Sequence, residues 1–273
     1  MNVRYQSVRR LPTQHTAEEI LAAAPPPWFY RFTFENGAST VSADPLIDEI
    51  HQVRADLVFP WLDCVVGSAW PRLTCLDIGC HEGWWSAQLA VRGARRVLGI
   101  DPRPGHIERA EKIRQITGME NLDFRAGNLY EQGAFTGAPY DLTLFIGLLY
   151  HLDNPVWALE RARVLTRGVC VVETQVARPV PELECLWGSD TRLKHGPGIA
   201  LVRSDEAHVE GARPLSMVPT LAALYEILYQ VGFHRVFTAV PAPGMYSQYR
   251  DYDRVVVFAL TEAASGEALG LSG

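Results

Sequence analysis

Eight consecutive residues, Leu76-Asp77-Ile78-Gly79-Cys80-His81-Glu82-Gly83, carry an apolar run into a helix near Trp84, and a second run, Val97-Leu98-Gly99-Ile100-Asp101, follows. Glycine lacks a Cβ, so Gly79 and Gly83 can take positive φ and let backbone approach a ligand closely. Asp101 ends the second run beside that loop, where a carboxylate can accept hydrogen bonds from both hydroxyls of a ribose. Together these residues form a nucleotide cradle. A pyrophosphate-binding loop would read G-x-G-x-x-G; here the glycines lie four apart and Asp77 precedes them, a carboxylate that repels a diphosphate and welcomes an ammonium.

A ligand with an ammonium, a carboxylate, a ribose and an adenine is S-adenosylmethionine, and from about Thr74 to Leu260 the chain resembles the class I S-adenosylmethionine-dependent methyltransferases. Their usual pattern is an acidic residue followed by three alternate glycines, and His81 stands where the middle glycine would be. The resemblance implies a donor site built from Asp77, Gly79, Cys80, His81, Gly83, Trp84, Asp101 and Pro102, with Ile146 and Gly147 at the end of the fourth strand. It further implies that Asn128 meets the adenine amino group while Leu129 packs on the ring. A second motif, Gly147-Leu148-Leu149-Tyr150-His151-Leu152-Asp153-Asn154-Pro155, joins D-I-G-C-x-E-G-W-W-S and an early Trp28-Phe29-x-Arg31. This combination is similar to the branch containing the tRNA wobble-uridine carboxymethyl transferases and their small-molecule-modifying cousins. By that resemblance Tyr150 and His151 face the sulfonium and the acceptor.

Methyl transfer is an in-line displacement, so the protein mainly aligns the nucleophile and excludes water. A base matters where the acceptor must lose a proton. His151 titrates near neutrality in its ordinary state and suits that task, the alternative being a brace for the next helix. Glu173, near the end of the fifth strand, is a second candidate base, a carboxylate stabilising a developing cation, or a hydrogen-bond bridge to loop backbone. Aromatic residues suit a sulfonium and an apolar acceptor, so Trp28, Tyr30, Trp187, Tyr246 and Tyr249 are candidate pocket walls, with Phe29 and Tyr252 beside them. Arg31, and with it Arg203 and Arg250, could meet a phosphate or carboxylate on the acceptor. His195 and His208 lack metal-ligand spacing, and no metal is expected.

The elements that must hold these groups follow from periodicity. Apolar strands at Leu73–Ile78, Arg96–Ile100, Leu122–Ala126, Tyr140–Ile146, Val169–Thr174, His234–Val240 and Arg254–Leu260 alternate with helical intervals. The expected fold class is α/β, a Rossmann-like, seven-stranded, mostly parallel sheet covered by helices on both faces. The last two strands are joined too closely for a crossover and must pair antiparallel. Thr16 caps a short helix that Pro25-Pro26-Pro27 ends; Trp28 to Phe34 reads as a strand or hairpin turning at Asn36-Gly37; Asp44 to about Leu62 reads as a helix. These divide the chain into an N-terminal arm and lid (1–66), a core (67–262) whose 175–218 segment is a substrate-side insertion forming a cap, and a tail (263–273).

With 48% apolar residues over 273, a sizeable core is affordable. Five cysteines, Cys64, Cys75, Cys80, Cys170 and Cys185, form no C-x-x-C pair and read as reduced thiols. The start has no apolar run of signal-peptide type and no stretch has the length of a membrane span, so the expectation is a soluble, cytoplasmic protein, possible as a homo-oligomer. A net charge of −6 gives no general attraction to nucleic acid, although Arg92, Arg95, Arg96 and Arg103 fall close together. The expected activity is methylation of a small or lipid-like molecule. The alternatives are tRNA wobble-base modification and a catalytically inactive donor-binding subunit that regulates a partner.

Overall fold

Each apolar run becomes a strand buried by what packs on its two faces. The computed structural model describes residues 6–131, 135, 139–178, 183–184, 192–193, 197–203 and 215–265. In chain order its main elements are α1 (Ala17–Ala23), α2 (Pro45–Val66), β1 (Thr74–Ile78), α3 (Trp84–Ala90), β2 (Arg96–Asp101), α4 (Pro104–Thr117), β3 (Leu122–Ala126), β4 (Tyr140–Ile146), α5 (Pro155–Leu165) and β5 (Thr166–Gln175). Then come β6 (Leu183–Glu184), β7 (Arg192–Leu193), β8 (Ile199–Arg203), β9 (Leu215–Pro219), α6 (Leu221–Gln230), β10 (Arg235–Thr238), α7 (Ser247–Arg250) and β11 (Arg254–Leu260). Seven strands form one sheet in the order β10-β11-β5-β4-β1-β2-β3, with β11 antiparallel to both neighbours and β1 to β5 parallel.

Alternate residues of the central strands supply two cores. Cys75, Val97, Leu142, Leu144, Val171 and Phe258 pack beneath the arm, α2, α3 and α4, and Leu76, Leu98, Phe145, Cys170, Val172 and Val257 beneath α5 and α6. Helix starts are set by local chemistry. Thr16 and Glu19 make a reciprocal capping box, the Asp44 carboxylate accepts from Leu46 N ahead of Pro45, and Asn154 caps α5 ahead of Pro155.

The arm makes the hairpin turn expected at Asn36-Gly37: Gly37 N donates to Phe34 O, Phe34 N to Ala38 O and Thr40 N to Phe32 O, with an antiparallel bridge between Thr33 and Ser39. Its pairing stays at isolated bridges, and the N–H groups of Phe29 and Tyr30 go to the Glu82 carboxylate and that of Phe32 to Thr40 Oγ1. Of the 175–218 segment, β6 pairs with β7 and β8 with β9, both antiparallel; the expected cap lies mostly outside the described residues. None of the described helices is long and apolar enough to cross a membrane.

The strand order reverses between β1 and β4, so the connections after these two strands run to opposite sides. Such a switch point opens a crevice at the strands' carboxyl ends. The Asp77–Gly83 loop flanks that crevice on one side and Gly147–His151 on the other.

Candidate active site

The loop after β1 folds back on β2: Gly79 N and Cys80 N both donate to Ile100 O. Gly83 has φ +81°, and a Cβ there would lie 2.4 Å from Phe124 Cζ on β3, so only glycine lets α3 begin at this point. His81, at the position where related loops carry glycine, keeps the left-handed backbone with φ +52°. Cys80 is buried. Asp77, read as an ammonium partner, is turned inward instead: Ser86 Oγ on α3 donates to it at 2.6 Å, and burial without a cation pushes its carboxyl up to about 7.

Asp101 ends β2 with 0% of its surface exposed and accepts from His81 N (3.1 Å), Arg103 N (3.0 Å), Arg103 Nε (2.9 Å) and Arg103 Nη2 (3.1 Å). Burial alone would raise this carboxyl, but His106 beside it and the Arg103 guanidinium hold it well below the usual range. Pro102 is exposed beside it. The His106 and His81 rings lie 3.7 Å apart, tilted by 35°, and Phe29 of the arm stacks on His81 at 4.7 Å. Tyr30 stacks on His51 at 4.0 Å and on Trp84 at 5.9 Å. Glu82, which receives the arm, is itself held by Arg109 Nε at 2.7 Å. An aromatic layer therefore lies over the loop.

Across the crevice, Gly147 follows β4 with its N–H on Glu173 O, and Tyr150 and His151 form a helical turn with rings 4.2 Å apart. Burial, then the Arg254, Arg103 and Arg54 guanidinium groups, lower His151 to about 4. It is neutral at pH 7. Glu173 is 0% exposed and is the hub of a network: Tyr249 Oη donates to its Oε1 at 2.6 Å, Arg254 Nη1 donates to the same oxygen at 2.9 Å, and Arg54 Nε lies 3.4 Å from Oε2. Arg54 Nε also donates to Tyr249 Oη, and the Arg254 guanidinium lies 4.7 Å over the Tyr150 ring. Burial pushes the Glu173 carboxyl up, and the two arginines overcome it and hold the group low. Glu173 is thus an ionised anchor, correcting the expectation of a second base.

Other expected residues have different surroundings. Trp28 is 1% exposed in the core, its indole N–H donating to Ala24 O, so it is a floor for the arm instead of a substrate wall. Arg31 pairs with Asp48 at 3.1 Å and Arg250 with Asp251 at 2.8 Å, so neither is a free anion site; Arg203 is exposed on β8. Tyr249 is spent on Glu173, while Tyr246 is partly buried against the core. Asn128 accepts from Tyr130 N within its own turn, and Leu129 and Ile146 are buried. Trp187 and Cys185 lie outside the described residues. The arginine patch is neutralised at three positions, where Arg92 meets Asp63, Arg96 meets Asp123 and Arg103 meets Asp101.

The sequence reading missed Arg54, Glu82, Arg103, His106 and Arg254. Arg103 and His106 had a local signal, lying two and five residues after Asp101, and Glu82 stands in the loop motif itself; Arg54 and Arg254 arrive from distant elements. Among the described residues no group of three or more His, Cys, Asp and Glu side chains could hold a metal.

Residues 75–168 match the family model described as a methyltransferase domain. A tRNA U34 carboxymethyltransferase of Shewanella piezotolerans is 32% identical over 106 residues, which are 38% of this chain and 32% of that protein. One from Desulfotalea psychrophila is 27% identical over 101 residues, 36% of this chain and 31% of that protein. The chain thus spans about a third of the length of these curated relatives. Among solved structures, the N-terminal domain of EvdMO1 with SAH bound has a TM-score of 0.65 at 21% identity, covering 95% of this chain and 100% of that one. Magnesium protoporphyrin IX methyltransferase (ChlM) from Synechocystis PCC 6803 with bound SAM has a TM-score of 0.54 at 16% identity, covering 81% and 86%. Residues 75–168 thus match a methyltransferase domain, and the whole chain has the fold of the class I S-adenosylmethionine-dependent methyltransferases.

Proposed function

We propose that this protein transfers a methyl group from S-adenosylmethionine to a small-molecule acceptor. The observation that carries the reading is the juxtaposition, across one switch-point crevice, of the Gly79–Gly83 loop and Asp101 with Tyr150 and His151. The residues fit the donor: the loop, with positive φ at Gly79, His81 and Gly83, folds back on the end of β2, and Asp101 at that end is the acceptor a ribose diol needs. When bound, the donor supplies a methyl group on a positively charged sulfur.

The chain's own residues do the rest. Phe29, Tyr30 and Trp84 exclude water over the loop. Tyr150 and His151 orient the acceptor; His151, neutral at pH 7 and weakly basic, accepts a hydrogen bond or a proton that the acceptor gives up readily. Glu173 holds Arg54, Arg254 and Tyr249 in place. Two buried arginines against one carboxylate leave this end of the crevice cationic, which suits a ligand carrying an anionic group.

Calorimetry with S-adenosylhomocysteine should show binding, and incubation with methyl-labelled donor and small-molecule extract should move label to a soluble product. Absence of nucleoside binding overturns the reading. A second reading, tRNA modification, is favoured by the curated relatives and opposed by the arginines already paired to carboxylates. A low-salt gel shift with tRNA separates the two, since tight, salt-sensitive binding would favour RNA. Donor binding with no label transfer to any extract would instead favour a regulatory subunit.

A further inference from the structure

We propose that Arg103 is an internal competitor for the ribose seat, so that the donor nucleoside binds by displacing a guanidinium from Asp101. The inference rests on the functional reading above, which makes Asp101 the ribose acceptor. A carboxylate offers about four lone-pair sites. Four N–H groups of the chain already fill them: His81 N, Arg103 N, Arg103 Nε and Arg103 Nη2. A ribose brings two further donors, so two of the four must leave.

The fold decides which two. His81 N belongs to the loop that β2 fixes through Ile100 O, and Arg103 N belongs to the turn that starts α4. Neither moves without unmaking the cradle. The Arg103 side chain is 22% exposed and ends in a guanidinium that water hydrates readily once it swings out. Its two hydrogen bonds present the same paired-donor geometry to the carboxylate as a vicinal diol would. Exchange therefore replaces one bidentate partner by another and leaves both backbone bonds standing. His106 Nδ1, 3.5 Å from Asp101 Oδ1, makes no hydrogen bond to it and packs its ring 3.7 Å from that of His81.

The consequence runs against the usual expectation for an arginine in a nucleotide site. Removing it should tighten binding, because the seat no longer has to be vacated first. Calorimetric titrations of the full chain with S-adenosylhomocysteine, 5′-methylthioadenosine and 2′-deoxy-5′-methylthioadenosine would compare wild type with Arg103→Ala and Arg103→Met, the second keeping the aliphatic stem in case the first perturbs the turn. The expected result is roughly 3- to 10-fold tighter binding of both ribonucleosides in the variants, with the deoxy analogue penalised in every protein. Unchanged or weaker ribonucleoside binding in both folded variants overturns the competition and makes Arg103 a bystander or a direct ligand contact. Equal binding of the deoxy analogue overturns Asp101 as the ribose seat. Failure of every nucleoside on every protein overturns the donor reading and the competition with it, whereas binding confined to the variants supports the competition in its strongest form.

Discussion

Asp101 and Glu173 are two fully buried carboxylates at the ends of strands in the same sheet, each held low by arginine, yet they do opposite work. Asp101 is satisfied locally, by its own turn and a partly exposed Arg103 two residues on. Glu173 is satisfied from afar, by Arg54 on α2, Arg254 on β11 and Tyr249 on α7, all of them buried. A partner that can swing into water leaves a carboxylate free to exchange ligands. A partner locked in the core turns the carboxylate into a fastener. On the exchange proposed for Arg103, what separates the two carboxylates is the exposure of the counter-ion, 22% for the Arg103 side chain against 7% and 9% for Arg54 and Arg254.

The sharpest way to break this contrast is Glu173→Ala, which strands two buried guanidinium groups at once. Removing one partner of a buried pair costs about 3–5 kcal/mol, so denaturant unfolding should show a loss of that size. The sign with pH follows from the lowered carboxyl. The stabilisation from Glu173 is fully present above its unfolded value near 4.5 and is lost as pH falls through its lower folded value. A loss below about 1 kcal/mol would mean the network is not a fastener. Asp101→Ala should weaken S-adenosylhomocysteine binding about 100-fold, the worth of two hydrogen bonds to a charged group, and should cost less stability than Glu173→Ala, because Arg103 can turn into water and only the His81 and Arg103 backbone N–H groups are left without an acceptor. Near wild-type affinity by calorimetry would remove Asp101 from the donor site.

This same division decided what could be read in advance. All seven sheet strands, the capped starts of α1, α2 and α5, and the antiparallel last pair were legible, because apolar runs, Asn-Pro and Thr-x-x-Glu act within a few residues. The Gly79–Gly83 loop and Asp101 were legible for the same reason. Glu173 was visible as a residue but not as a fastener, since Arg54 lies 119 positions before it and no local pattern joins them. The hairpin of the arm was legible from Asn36-Gly37, but its alternation of aromatic residues could not reveal that Glu82 takes the donors of Phe29 and Tyr30.

Asp77 supplies a third carboxylate for the comparison, buried with a hydroxyl for its hydrogen-bond partner and no cation. Its folded value near 7 lies above the unfolded 3.8, so the folded state holds the extra proton and stability falls as pH rises from about 4 through 7. Asp77→Asn copies the protonated form and keeps an acceptor for Ser86. Between pH 5 and pH 8 wild type should lose about 2–3 kcal/mol that the variant keeps, in thermal or denaturant unfolding. Equal pH slopes in the two proteins would show that Asp77 is paired after all.

The smallest expected effect concerns His81, where backbone and side chain pull in opposite directions. Its left-handed φ costs a residue with a Cβ about 1–2 kcal/mol, and its two nearest ring contacts, with Phe29 and with His106, recover about 0.5–1.5 kcal/mol each, beside a more distant edge contact with Tyr30. His81→Gly removes the strain and both contacts together, so global stability should stay within about 1 kcal/mol of wild type. The difference should appear locally. Glu82 still accepts from Phe29 and Tyr30, but without the ring beneath it the arm loses its stacking partner, and amide exchange at Phe29 and Tyr30 should quicken while exchange in β1 and β2 is unchanged. If arm exchange stays at the wild-type rate, the Glu82 carboxylate alone holds the arm down, and the histidine's place in the loop has to be sought in its neighbour His106 and the carboxylate of Asp101 that both surround.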